Sequence, residues 1–113
     1  MERQRPYASE YRDQVVEISR LAVNESVLEG ITFANCTIVG PAVLVPLEGV
    51  SIVGGTWDAP NWEALSWIIP RNRDTVIGAI GVKDCTFSAC RFQNVGLAVP
   101  EDEEERFREG FGG

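Results

Sequence analysis

Three cysteines and a few scattered carboxylates are the side chains of this sequence that could do chemistry, and there is no histidine among its 113 residues. The lack of histidine excludes Ser–His and Cys–His catalytic pairs and histidine-bearing metal sites. Cys36, Cys85 and Cys90 are odd in number, lack CxxC spacing and fall in apolar patterns, which predicts reduced, buried packing residues. Asp58 and Glu63 form the least implausible carboxylate pair. We predict no catalytic residue, no metal, no cofactor and no enzymatic activity.

The charge distribution bears on the partners the chain can have. The formal net charge is −7, but residues 101–113 hold six carboxylates against two arginines, so this tail accounts for −4. Nucleic acid and anionic membranes both require clustered Lys and Arg, and no basic stripe is present, so neither is an expected partner. No apolar run approaches a membrane span and residues 1–14 are too charged for a signal peptide, which predicts a cytoplasmic protein.

The apolar residues of the sequence recur with a period of five, and this period indicates the elements that position the cysteines and carboxylates. Apolar residues come in pairs two positions apart, and the pairs recur every five residues in segments 31–43, 50–57 and 85–97. Neither a strand's period of two nor a helix's period of 3.6 produces a strict five, so the chain is expected to turn a corner every five residues. The predicted inward-facing ladder residues are Ile31, Phe33, Cys36, Ile38, Val43, Val50, Ile52, Trp57, Cys85, Phe87, Cys90, Phe92, Val95 and Leu97.

Segments 31–57 and 85–99 resemble pentapeptide-repeat proteins, whose units have a small residue or cysteine two places before a central Leu or Phe. Pro41 and Gly55 depart from that pattern, since they occupy inward places. The resemblance implies an all-β fold, a short right-handed parallel β-helix, and the chain length supplies about three coils. A small antiparallel β-sandwich or barrel is the alternative fold.

The repeat spacing also predicts how the coils stack. Phe33 and Ile52 are 19 residues apart, as are Ile38 and Trp57. A coil of that length would stack the two members of each pair directly, at the ~4.8 Å spacing of neighbouring strands.

The chain is predicted as a single domain over 1–113, in three parts. Residues 1–14 form an N-terminal arm, either extended or one helical turn; 15–100 form the core; and 101–113 form an acidic tail. A strand at Val16–Leu21 is expected to cap one end. The segment 58–81 is expected to bulge out as an inserted loop or short helix, because its apolar residues have spacings of three and four before Pro70.

The insertion is the predicted interaction surface, because it carries two of the three tryptophans that fall within eleven residues, while the third, Trp57, directly precedes it. Trp and Arg are typical interface anchors, and the open ends of a short solenoid need covering. The candidate interface residues are Trp62, Leu65, Trp67, Ile68, Ile69, Arg71, Arg73, Phe107 and Phe111. A fold in which the insertion completes the core of its own chain is the alternative.

These features predict a non-enzymatic structural or protein-interaction module, a homodimer that associates through the insertion and the coil ends, with a further protein partner left open. The second hypothesis is an inhibitor or sequestering protein. It follows from the resemblance, since some pentapeptide-repeat proteins imitate duplex DNA in shape and charge and occupy topoisomerases, although this chain has few coils for that. A small ligand held between subunits beside Arg71 and Arg73 is a variant of this hypothesis.

Overall fold

The computed structural model describes residues 7–23, 26–70, 72 and 78–110. Over these residues the chain is mostly strand with few helices. The strands are β1 (Glu10–Arg12), β2 (Val15–Glu17), β3 (Val27–Glu29), β4 (Thr32–Ala34), β5 (Thr37–Pro46), β6 (Ser51–Val53), β7 (Thr56–Trp57), β8 (Ser66–Ile69), β9 (Ile80–Lys83), β10 (Thr86–Ser88) and β11 (Arg91–Pro100). The helices are α1 (Ile18–Leu21), α2 (Trp62–Leu65) and α3 (Glu104–Gly110), the last preceded by a 3-10 turn at Glu101–Glu103.

The strands form two open sheets, and every pairing between the described strands is parallel. One sheet has the order β1-β4-β10-β6. The other has the order β3-β9-β5-β11-β7, with β2 beside β5 and β8 beside β11. The alternative of an antiparallel sandwich or barrel is therefore wrong.

The chain passes through these sheets four times: with β1 and β2, with β3 to β5, with β6 to β8, and with β9 to β11. Equivalent residues of neighbouring passes are in register. Tyr11, Phe33, Phe87 and Ile52 form one such column, and its rings stack at 5.4 Å between Tyr11 and Phe33 and at 4.8 Å between Phe33 and Phe87. Stacked aromatic side chains and the backbone ladder thus stabilise the same contacts.

The spatial order of the passes differs from their order in the sequence. The fourth pass lies between the second and the third, since β10 pairs with both β4 and β6, and β11 pairs with both β5 and β7. The prediction that Phe33 stacks directly on Ile52, and Ile38 on Trp57, is therefore wrong. Phe87 and Phe92 occupy the positions between them, and repeat spacing alone carries no information on which pass neighbours which.

The corners recur every five residues as positions in left-handed backbone conformation. Gly30 and Asn35 mark the second pass, Gly49 and Gly54 the third, and Asp84, Ala89 and Asn94 the fourth, all with φ between 51° and 72°. At one corner the amide N–H of Asn35 donates to the carbonyl of Ser88, and that of Ala89 donates to the carbonyl of Val53. Backbone hydrogen bonds therefore join neighbouring passes at the corners as well as along the strands.

Most of the predicted ladder residues are buried in one hydrophobic cluster, but Val43, Ile52 and Trp57 are only half-buried. Val43 was assigned to the wrong phase. Gln93 is paired with Val39 and Val95 with Ala42, so β5 contains one residue more than β11 at this bulge, and the extra residue inverts the inward and outward positions that follow. Leu44, paired with Leu97, is buried in place of Val43.

The structure adds detail to three predicted segments. The arm contributes β1, which pairs with β4, so its residues 10–12 are extended. The predicted strand Val16–Leu21 ends at Glu17 and continues as α1. In the insertion only Trp62–Leu65 is helical, and Ile68 and Ile69 lie in β8, because β11 offers a free edge to which residues 66–69 bond. None of the helices in the described part of the chain combines the length and apolar character needed to cross a bilayer.

Candidate functional site

The third pass is the end of the stack, and its inner side chains are the ones that neighbouring passes leave partly uncovered. Trp57 stacks on Phe92 of the fourth pass, with a ring-centroid distance of 3.9 Å and an interplanar angle of 10°. Ile52 lies beside Phe87 in the same way. The side of these two residues that faces away from the fourth pass must be covered by elements outside the sheets.

Helix α2 supplies part of that cover. Its first turn is fixed by Asn61, whose side-chain oxygen accepts a hydrogen bond from the amide N–H of Ala64 at 2.8 Å, a standard N-cap arrangement. The helix turns Trp62 and Leu65 into the core, where they are only 5 % and 3 % exposed. These two residues were predicted at an interface, but they are enclosed by their own chain, as the alternative for the insertion proposed.

Helix α3 lies against the same end. The indole Nε1–H of Trp62 donates to Oε2 of Glu104 at 3.2 Å, and Arg108 lies 3.9 Å from Glu63. Phe107 is half-buried against the core cluster. The described part of the acidic tail therefore docks on its own chain, and Phe107 contacts that chain.

Strand β8 leaves its apolar side chains exposed at the edge of the sheet. Trp67 is 68 % exposed and Ile68 is 41 % exposed, while Ile69 is half-buried. β8 pairs with residues 97–100 of β11 on one side, and among the described strands none pairs with its other side. Of the remaining candidates, Arg71, Arg73 and Phe111 lie outside the described residues.

The opposite end of the stack has a different edge. In β1 the guanidinium Nε of Arg12 lies 2.6 Å from Oε2 of Glu10, and these two charges flank the inward-facing Tyr11. Charged side chains on an edge strand disfavour pairing with another strand. β1 is thus guarded by charge, and β2 at the same end carries Glu17 beside the exposed Val15, whereas β8 carries no charged residue.

Two cavities adjoin this end. One of about 210 Å³ lies between the third pass and α3, and its walls are Ser51, Ile52, Trp57, Trp62, Leu65, Leu97, Arg106 and Phe107. The other is an open groove of about 400 Å³ along the outside of the corner that contains Asn94, and Trp67, Pro41, Pro60 and Asp58 are among its walls. The sequence contains no signal for the first cavity, because it depends on the order of the passes.

The cysteines are packing residues, as predicted from their apolar surroundings, and all three are buried and free. Each thiol donates to a backbone carbonyl of a spatially neighbouring pass: Cys36 to Tyr11 at 3.3 Å, Cys85 to Leu28 at 3.5 Å and Cys90 to Phe33 at 3.4 Å. Burial raises the pKa of the Cys85 and Cys90 thiols. Since the thiolate is the nucleophilic form, neither of these two sites favours nucleophilic chemistry.

The carboxylates considered for catalysis are engaged in structural contacts. Oδ2 of Asp58 accepts the amide N–H of Asn94 at 3.0 Å, and Glu63 faces Arg108. In the ranges that the structure describes, no three of the His, Cys, Asp and Glu side chains are grouped so that they could hold a metal ion. The described residues thus form exposed surfaces and two cavities at this end of the stack.

Comparison with known proteins adds no relative: no protein-family model, no curated protein and no solved structure matches the chain. The likeness to pentapeptide-repeat proteins stays a prediction.

Proposed function

We propose that this chain is a non-enzymatic protein-interaction module of the cytoplasm, built as a short right-handed parallel β-helix of the pentapeptide-repeat kind, which homodimerises through the free edge of β8. The observation that carries the proposal is the contrast between the edge strands β1 and β8. β1 is guarded by Glu10 and Arg12, whereas β8 has the sequence SWII, with Trp67 and Ile68 exposed.

An edge strand of this composition favours association, since soluble proteins ordinarily protect such strands with charge, proline or a covering element. Trp is also among the residues most enriched at the energetic centre of interfaces. Most soluble oligomers are twofold symmetric, so each copy would present the same strand. Two β8 strands related by a twofold axis perpendicular to the sheet run antiparallel, and Trp67 of one copy would then lie opposite Trp67 or Ile69 of the other, because directly opposite residues share a face of the sheet.

The proposal is tested by measuring the absolute mass in solution by light scattering after size exclusion. We compare the intact protein with a Trp67→Ser, Ile68→Asn double variant. The intact protein is expected at twice the chain mass of 12.4 kDa. The double variant is expected to dissociate, with dimer affinity weaker by roughly 30-fold or more, as for loss of a central Trp anchor.

The matched control is Val23→Ser. Val23 is 71 % exposed and follows α1 in the first pass, so the substitution removes exposed apolar surface at the opposite end and should leave the dimer intact. Circular dichroism verifies that each variant is folded. An intact protein that is monomeric at all accessible concentrations contradicts the proposal, as does a double variant whose mass is unchanged.

A further inference from the structure

The column formed by Ile38, Phe92 and Trp57 ends in the cavity of about 210 Å³ beneath α3. Trp57 has Phe92 stacked on one side at 3.9 Å, and it lines the cavity together with Ile52, the terminal residue of the neighbouring column. The cavity therefore occupies the place where the side chains of a further pass would lie. Trp62, Leu65, Leu97 and Phe107 form the rest of its apolar wall.

We propose that this cavity binds a planar aromatic carboxylate of one or two rings, which stacks on Trp57 and directs its carboxylate to Arg106. The lining favours a flat ring, because a ring placed on Trp57 would continue the stack of Trp57 on Phe92, and because Trp62 and Phe107 also line the cavity. Offset or parallel stacking of aromatic rings stabilises a contact by about 0.5–1.5 kcal/mol beyond area burial.

The volume is consistent with a ligand of this size. An apolar cavity of about 150 Å³ admits benzene, so about 210 Å³ leaves room for a bicyclic ring such as indole.

Ser51 and Arg106 are the two exposed residues of the lining. Nε of Arg106 lies 3.1 Å from Oε2 of Glu103, and its guanidinium carbon lies 4.4 Å from the centre of the Phe107 ring. These contacts hold the guanidinium at the rim with its Nε bonded to Glu103, so its two terminal nitrogens are the donors that would meet a ligand carboxylate.

The test uses the full chain with ¹⁵N-labelled tryptophan, titrated with indole-3-carboxylate, indole and cyclohexanecarboxylate, with affinities from calorimetry. Indole-3-carboxylate is expected to shift the indole N–H signals of Trp57 and Trp62 and to leave that of Trp67 unchanged, because Trp67 does not line the cavity. Cyclohexanecarboxylate, which lacks the planar ring, should bind roughly 5-fold more weakly. Indole, which lacks the carboxylate, should bind roughly 10-fold more weakly.

The Arg106→Gln substitution is expected to weaken the binding of indole-3-carboxylate by roughly 10-fold. Arg108→Gln is the matched control, since Arg108 is on the same helix but faces Glu63. The affinity of this variant for indole-3-carboxylate should stay within about twofold of that of the intact protein. Both side chains are more than half exposed, so both variants should fold. No binding of indole-3-carboxylate at millimolar concentration overturns the proposal, as does equal affinity for indole or an unchanged affinity of Arg106→Gln.

This inference does not depend on the proposed dimer, because the cavity and the outer edge of β8 are separate surfaces. The Trp67→Ser, Ile68→Asn variant should therefore bind indole-3-carboxylate with unchanged affinity even when it is monomeric. Loss of binding in this folded variant would contradict the separation of the two sites.

Discussion

At the scale of single residues, the corner that contains Ala89 is the least well matched to its backbone. Equivalent corner positions are occupied by Asp13 in the first pass, Asn35 in the second and Gly54 in the third, all of which tolerate a left-handed conformation better than alanine. Ala89 adopts φ of 54°. For an ordinary L-residue this conformation costs about 1–2 kcal/mol.

Replacement of Ala89 by asparagine should therefore stabilise the fold by about 0.5–1 kcal/mol, because Asn tolerates this conformation more readily. The free energy of unfolding in urea measures the effect.

Gly54→Ala is the matched control, and it should lower the free energy of unfolding where Ala89→Asn raises it. A Cβ at Gly54 would meet only ordinary contacts, at 3.9 Å from Ala89, so its expected cost of about 1 kcal/mol comes from the backbone alone. If Ala89→Asn is destabilising while Gly54→Ala is neutral, the assignment of a left-handed backbone conformation to these corners is wrong.

The residue scale is also where the sequence was most informative about the core. The units at 85–97 keep their spacing without a slip, and every ladder residue predicted there is buried. Val43 was wrongly predicted to face inward, and the buried Leu44 was missed, because a bulge adds one residue to β5. No local signal distinguishes a bulge from a continuous pattern. For Trp62 and Trp67, composition cannot separate a helical residue that turns inward from an edge-strand residue that turns outward.

At the scale of elements, α3 covers the end of the stack through a few contacts that can be removed singly. Phe107→Ala should lower the free energy of unfolding by about 1–2 kcal/mol, less than for a fully buried Phe because this side chain is half-buried. It should also shift tryptophan emission to longer wavelength, since the cover over Trp57 and Trp62 is loosened. Urea unfolding and fluorescence spectra measure the two effects.

Glu105→Ala is the control for this helix, because Glu105 is exposed and should be close to neutral. Equal effects of the two substitutions, with an unchanged emission spectrum, would contradict the docking of α3.

Some elements could not be predicted locally. β1 has only one inward residue, Tyr11, between two charged ones, so its three residues show too little alternation to identify a strand. β8 follows a helical turn without a break, and it is a strand because β11 pairs with it. Both depend on contacts far away in the sequence, which is the usual reason that tertiary context overrides propensity.

At the scale of the whole molecule, the order of the passes decides which surfaces are free. If the passes were stacked in the order of the sequence, the third would lie between the second and the fourth. β8 would then be internal, and no cavity would open beside Trp57. The proposed dimer edge and the proposed aromatic site both exist because residues 80–100 lie between the second and third passes.

The most direct test of this order is disulfide trapping between outward-facing positions of β4, β10 and β6. Thr86 is paired with Thr32 on one side and Ser51 on the other. Neighbouring strands are about 4.8 Å apart, within the Cα separation of about 4.4–6.8 Å that a disulfide requires. Two strands that are not neighbours are separated by roughly twice that spacing, which is too far.

A Thr32→Cys, Thr86→Cys variant is therefore expected to form an intramolecular disulfide on mild oxidation, while a Thr32→Cys, Ser51→Cys variant stays reduced. Peptide mapping by mass spectrometry identifies the bond and separates it from any bond to the buried Cys36, Cys85 and Cys90. A disulfide between positions 32 and 51, with none between 32 and 86, would contradict this account, since it would place β6 beside β4 and remove the free end on which both binding surfaces depend.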